Sequence, residues 1–288
     1  MKIIDIHTHG IGGFDTRTTD VEHILRIAGL HGLQGVAEII PTIYPAPVKV
    51  MRENMQVVKE AMERQKDGDS ARIVGMHLEG PFLNFSKCGS LNAMTFLEPT
   101  EYHLKELIEG FEDIVRIITI APEMNGAVSL IRKMSGMGII ASMGHSDATY
   151  AEAEAGFRAG ARGITHIFNA MRAFHHREPG IAGFGLMNQE VFIEVIADPY
   201  HLHPGTLELI LKVKNPGRII FISDTVRETT LFTREMGVAD MHGRLIGGSM
   251  TVVESAERLI GEGFEKDMIM RCITENPENY LKTVMGDK

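Results

Sequence analysis

Cysteine is scarce in this 288-residue chain, and the two that occur, Cys88 and Cys272, cannot build a disulfide framework. Such usage points to a reducing cytoplasm, with both thiols as ordinary packed residues. Basic residues are also outnumbered: 29 Lys and Arg stand against 38 Asp and Glu, for a net charge of −9. That balance argues against nucleic acid and anionic membrane as partners, since both need a basic face. No apolar run approaches the ~18 residues of a membrane span. The first residues, one lysine followed at once by a charged, histidine-bearing segment, do not read as a signal peptide. Low-complexity tracts, charge blocks and long Pro/Gly/Ser linkers are missing too, so residues 1–288 read as one domain.

What is present instead is alternation. Short Ile- and Val-rich runs recur at about 2–7, 36–42, 72–78, 115–120, 138–143, 162–166, 192–197 and 218–223. With little polar alternation, they read as strands buried on both faces. Helical patterns separate them at 20–31, with Asp20 as N-cap, 47–66, 100–109, 125–136, 149–158 and 205–213. Three more, at 252–262, 266–274 and 277–284, follow the last strand. This order predicts an α/β fold, a closed (β/α)8 TIM barrel. A doubly wound open sheet is the rival, but no strand runs into a G-x-G-x-x-G or Walker loop.

Barrels of this kind carry their chemistry at the C-terminal strand ends. There the first strand has His7 and His9, the third has His77 and Glu79 in "HLEGPF", and the fifth has His145 in "MGHSDATY". The sixth ends in "GITHIFNAM" with His166, the seventh in "IADPYHLHP" with Asp198, His201 and His203, and the eighth in "FISD" with Asp224. Thirteen histidines scattered at random would not favour strand ends in this way. His7 and His9 stand two apart, so on a strand both project from one face. Together with Glu79, His145 and His166 they form a donor set suited to Zn²⁺, and also to Fe²⁺, Mn²⁺ or Co²⁺. With Asp224, the set exceeds what one tetrahedral zinc needs; two ions bridged by Glu79 would use it all. H-x-H alone is a weak signal, and the joint pattern is what carries the metal reading. Asp5, His77 and Asp147 read as supporting or capping groups. His23, His31, His103 and His242 read as ordinary surface or hydrogen-bonded residues, His203 as structural, and His175 and His176 as loop residues.

The motifs "DIHTHG", "HLEGPF", "GHSDA", "THIFNAM", "HHREPGIAG" and "TENPENYL" are recognisable as a set. The chain resembles the amidohydrolase superfamily and, within it, the N-acetylglucosamine-6-phosphate deacetylase family, over about residues 4–282. The resemblance implies a metal-dependent barrel in which Glu79, His145 and His166 hold the main metal. It matches His7 and His9 to the first-strand pair of two-metal members, and Asp224 to the catalytic aspartate. It implies that Asn169, Ala170 through its backbone, Arg177 and His201 grip a sugar phosphate, with Arg177 able to serve a neighbouring subunit of a homodimer.

The chain departs from the family in three places. It begins at the H-x-H strand and stops soon after the last helix, which predicts a barrel without the accessory β-sandwich. Leu91 stands where the family carries a histidine that polarises the acetyl carbonyl. The segment after Asp224 lacks the family's Gly/Ala/Pro-rich opening. The function implied is cytoplasmic hydrolysis of the N-acetyl amide of a small amino-sugar phosphate, foremost N-acetylglucosamine 6-phosphate, with Asp224 as general base and acid. Two alternatives stand beside it: an amidohydrolase of the same fold acting on another N-acyl or cyclic amide, and a non-catalytic sugar-phosphate-binding barrel.

Overall fold

Strands that are apolar on both faces need cover on each side, and a ring of strands inside a ring of helices supplies it. The computed structural model describes residues 1–66, 68, 70–230 and 237–283. Its strands lie at Ile4–Thr8, Glu38–Ile43, Met76–Leu78, Val115–Ile120, Ile140–Met143, Gly163–Ile164, Phe192–Ile196 and Ile219–Ile222. They pair in parallel in chain order, the first with the second and so on to the eighth. A short piece, Arg72–Ile73, extends the sheet beside the second strand.

The ring closes where the eighth strand returns to the first. The Asp224 N–H donates to the His7 carbonyl at 2.9 Å, the His9 N–H donates to the Thr225 carbonyl at 2.8 Å, and Thr8 pairs in parallel with Thr225. An open doubly wound sheet would leave these two strands apart, so closure rules out that rival.

Each strand is followed by a helix, at Val21–Leu33, Val48–Arg64, Glu101–Ile108, Ala127–Gly136, Tyr150–Ala159, Gly180–Met187, Pro204–Val213 and Val252–Gly261. Two more, Lys266–Ile273 and Glu275–Lys282, end the described chain; the helix expected over 277–284 runs to a residue outside it. Asp20 caps the first helix as expected, its carboxylate accepting from Glu22 N at 3.0 Å. Among the described residues no helix is long and apolar enough to cross a membrane.

The helix Gly180–Met187 was not anticipated. Three of its eight residues are glycine, which weakens any helical signal by about 1 kcal/mol each. The structure explains two of them. A Cβ at Gly183 would run into Pro179, and one at Gly185 would come within 2.7 Å of Ile164 and 3.0 Å of Ile167. Close packing on the barrel wall therefore overrides propensity. Two small antiparallel ribbons, Gly10–Ile11 with Phe14–Asp15 and Val238–Ala239 with Leu245–Gly247, were also unforeseen.

The core has two layers. One lies between strands and helices; the other fills the lumen with Ile4, Ile6, Ile40, Ile117, Ile140, Ile220 and their neighbours. Tyr280 from the last helix joins this inner cluster and is fully buried. Ile6 packs in the lumen, yet its neighbour His7 also turns inward to meet Glu194. A register shift between Asp5 and Thr8 allows this by inserting an extra residue into the first strand. The bulge converts the H-x-H spacing into two inward-facing imidazoles.

Gly163 fixes how closely Tyr280 seats. A Cβ there would strike the phenolic oxygen and come within 2.7 Å of Tyr280 Cζ and 2.9 Å of Ser142 Oγ. Gly163→Ala should therefore destabilise the fold by about 1–3 kcal/mol. Urea unfolding of the variant checks this; a change under ~0.5 kcal/mol would show that the inner cluster has slack.

Candidate metal centre

Two groups of three donors meet at the mouth of the barrel, His7 with His9 and Asp224, and Glu79 with His145 and His166. Within each group the donor atoms lie within 4.8 Å of one another. In the first, His7 Nε2 lies 3.3 Å from His9 Nε2 and 3.4 Å from Asp224 Oδ1, with His9 Nε2 3.6 Å from the same oxygen. In the second, Glu79 Oε1 lies 3.1 Å from His145 Nε2 and 3.0 Å from His166 Nε2, and the two nitrogens are 3.1 Å apart. Glu79 also spans the groups. Its Oε1 is 3.6 Å from His7 Nε2 and its Oε2 is 3.2 Å from His9 Nε2.

The hydrogen bonds on the far side of the rings show what this cluster wants. His145 Nδ1 faces the Lys87 carbonyl at 2.8 Å and His9 Nδ1 faces the Thr42 carbonyl at 3.1 Å. A carbonyl only accepts, so both rings carry their proton on Nδ1 and present a bare Nε2 lone pair to the centre. His7 Nδ1 lies 3.3 Å from Glu194 Oε2, an oxygen able to accept the same Nδ1 proton. Imidazole nitrogens and carboxylate oxygens thus converge at 3.0–3.6 Å, a spacing at which a cation among them would be shared by several donors. The donor set fits a divalent metal.

The backbone is also unusual here. His145, His166 and Asp224 have φ of +46°, +29° and +48°, and Phe168 and Ala170 lie at +75° and +49°. Such values cost side-chain-bearing residues energy and persist where packing enforces them. At Asp224 the enforcement is visible: its carbonyl accepts from Gly248 N at 2.7 Å, and a Cβ on Gly248 would collide with the Ser223 carbonyl. Asp5 ties the same seam together, its Oδ1 accepting from His7 N at 3.2 Å and Ser223 N at 3.3 Å.

Burial and crowding set the charges. Burial pushes Asp224 well above the usual carboxylate range, and the carboxylates of Glu79, Glu194, Asp5 and Asp198 add to it. Burial alone would raise Glu79 as well, but His145, His166 and His9 override it and hold that carboxyl well below its ordinary value. Burial, aided by His77, drives His7 far toward its neutral form.

A cavity of about 140 Å³ opens onto this centre, and its walls include Tyr44, Leu91, Asn169, Ala170 and His201. His201 is held through Nδ1, 3.0 Å from both oxygens of Asp198, whose carboxylate also accepts from Ser249 N and Oγ at 3.0 Å. Burial opposes ionisation of Asp198, yet these bonds bring its pKa down to about 2. Arg177 stands apart from the other three residues expected to bind substrate. It is exposed, outside the cavity wall, and its Nη1 faces His176 Nε2 at 3.1 Å.

The supporting residues fall largely as anticipated. His77 is 2.8 Å from Thr119 Oγ1 and belongs to neither triad. Asp147 pairs with Lys87 and Arg172, and His203 accepts from Gly205 N at the start of a helix. His31 is fully buried, 3.0 Å from Thr8 Oγ1. Of the segment after Asp224, residues 231–236 lie outside the described chain.

Three site residues escaped sequence reasoning. Tyr44 stacks on His9 at 3.8 Å, with the Arg17 guanidinium 4.2 Å from its ring centre. Glu123 accepts from Asn84 Nδ2, Ser146 Oγ and Asp147 N, joining the loops that carry Glu79 and His145. Glu194 lies in the run "VFIEVI", where a single carboxylate among apolar residues was the available signal.

No family model matches the chain. Among curated proteins it is 33% identical over 227 residues to the N-acetylglucosamine-6-phosphate deacetylase of Vibrio furnissii, covering 79% of this chain and 56% of that protein. It is 30% identical over 266 residues to the N-acetylgalactosamine-6-phosphate deacetylase of Escherichia coli O157:H7, covering 88% and 70%. The chain thus spans between about half and seven-tenths of the length of these relatives. Among solved structures, the N-acetylglucosamine-6-phosphate deacetylase of Pasteurella multocida superposes with a TM-score of 0.89 at 25% identity, covering 99% of this chain and 77% of that one. With sequence, fold and cluster in agreement, the chain belongs to the N-acetylglucosamine-6-phosphate deacetylase family of the amidohydrolase superfamily.

Proposed function

We propose that this chain is a metal-dependent amidohydrolase that removes the N-acetyl group of an amino-sugar 6-phosphate, foremost N-acetylglucosamine 6-phosphate. The observation that carries the reading is the cluster of two buried triads joined by Glu79, opening onto a cavity that Asn169, Ala170 and His201 also line. We assign one ion to Glu79, His145 and His166 and a second to His7, His9 and Asp224, with Zn²⁺ as the best match to this nitrogen and oxygen set. Bound there, such ions supply a Lewis acid and a nucleophile at neutral pH.

The remaining work falls to the chain's own groups. Asp224 turns Oδ1 toward His7 and His9, which leaves Oδ2 to take a proton from the attacking water and return it to the departing amine. Burial among other carboxylates raises its proton affinity, which suits that role. His201, oriented by Asp198, together with Asn169 and the strained backbone at Ala170, forms the grip for the phosphorylated end of the sugar. Arg177 is exposed on its loop and outside its own cavity wall, and we assign it to a neighbouring copy in a homodimer. A substrate of this kind places the reaction in the cytoplasm.

Leu91 supports a second reading. It lines the cavity but offers the acyl group only apolar contact, so an N-acyl sugar other than the acetyl derivative is the alternative. A silent binding barrel is less well supported, because it has no need for two buried triads of metal-type side chains.

Acetate release from N-acetylglucosamine 6-phosphate by Zn²⁺-loaded protein should reach a kcat/KM of roughly 10⁴ M⁻¹s⁻¹ or more. Chelation should abolish it and added metal restore it. No release by protein shown to hold metal would move the substrate elsewhere. Asp224→Asn should retain metal yet lose about 10²–10⁴-fold in turnover; full activity would remove Asp224 from the proton path. Arg177→Ala should raise KM about tenfold or more for the phosphorylated sugar and leave the unphosphorylated analogue unchanged. An equal effect on both would overturn the clamp.

A further inference from the structure

An ionisable side chain in the wall of a closed barrel is expensive unless something there needs it. Glu194 is such a side chain. It lies in the middle of the seventh strand between Ile193 and Val195 and is 0% exposed. No Lys or Arg pairs with it among the described ion pairs; its basic partner is His7, at 3.3 Å between Oε2 and Nδ1. Oε1 accepts from Ser142 Oγ at 3.4 Å, and Ser142 in turn accepts from Thr165 Oγ1 at 2.7 Å. The hydroxyl chain thus donates toward the carboxylate and holds it in place. It runs on through Thr119 to His77, whose ring lies edge-on against His7 at 4.6 Å.

The four imidazoles of the centre are not backed alike. His9 and His145 each face a backbone carbonyl, and His166 Nδ1 is buried without a partner. Only His7 is backed by a carboxylate. The tautomer of His7 matters to the centre. With its proton on Nε2 it could donate to Asp224 at 3.4 Å or Glu79 at 3.6 Å, and its lone pair would leave the centre.

We infer that Glu194 is the positioning residue for the His7–His9–Asp224 site: it accepts the Nδ1 proton of His7 and so fixes the tautomer and ring orientation that aim Nε2 at a metal. The effect should fall mainly on one of the two triads, because Glu194 meets the ring of His7 directly but reaches the other triad only through the backbone at His166 and Ile167. The inference rests on the metal-hydrolase reading but not on the identity of the substrate.

The test compares metal binding in wild type, Glu194→Gln and Glu194→Met. Protein is loaded with Zn²⁺ and challenged with graded chelator, and the ions retained per chain are counted. Co²⁺ loading follows the ligand field by visible absorption. Wild type should hold two ions. Glu194→Met should bind one of them about 10–100-fold more weakly and keep the other within about twofold. Glu194→Gln, whose amide oxygen still accepts, should fall between and fold as wild type does. His7→Ala should weaken the same ion, and adding Glu194→Met to it should cost nothing further. Two ions bound with wild-type affinity in both Glu194 variants would overturn the inference, as would loss of both ions together or a wild type that binds one. Two ions retained without acetate release would instead count against the substrate reading alone.

Discussion

The whole molecule turns on the seam between the eighth strand and the first. Two hydrogen bonds, Asp224 N to the His7 carbonyl and His9 N to the Thr225 carbonyl, close the barrel. The same residues supply one triad of the metal centre. Closure and site assembly are therefore one event. A barrel that failed to close would separate Asp224 from the histidines, and a displaced Asp224 would lose the backbone bond that helps close the barrel. This coupling accounts for the investment around the seam: a bulge in the first strand, the Asp5 carboxylate accepting from His7 and Ser223, and the glycine at 248 that lets a second backbone bond reach Asp224.

The lumen follows from the same constraint. Its lower half is an isoleucine cluster with Tyr280, as expected for a packed barrel core. Above it comes a polar layer of Ser142, Thr165, Thr119, His77 and Glu194, hydrogen-bonded side chain to side chain. Above that lie the two triads of the candidate metal centre. Such a gradient holds the imidazoles rigidly from below while leaving their lone pairs unmatched from above. Apart from the buried Nδ1 of His77, which has no partner, the polar layer is hydrogen-bonded within itself, which lowers the cost of burying it.

Much of this was legible in the amino-acid order. All eight strands and most of the helices follow from hydrophobic period, because burial on both faces leaves a clear run of branched residues. The histidines and acids at strand ends could be assembled into one centre because a parallel barrel brings every C-terminal end to one rim. The helix at Gly180–Met187 stayed hidden because its glycines answer to packing partners distant in sequence. Arg177 shows another limit: its motif matches, but the side chain lies outside the cavity of its own chain.

The sequence by itself determined the architecture and the list of metal-type residues, since both depend on local period and on residue type. Tertiary structure alone decided which donors stand together, that Glu79 lies between the two groups, and that a bulge turns His7 and His9 inward together. It also decided that Glu194, Tyr44 and Glu123 stand behind the centre. These are matters of angle and register between strands far apart in the chain. Side-chain chemistry says what a residue can bind, but only the closed ring says what stands beside it.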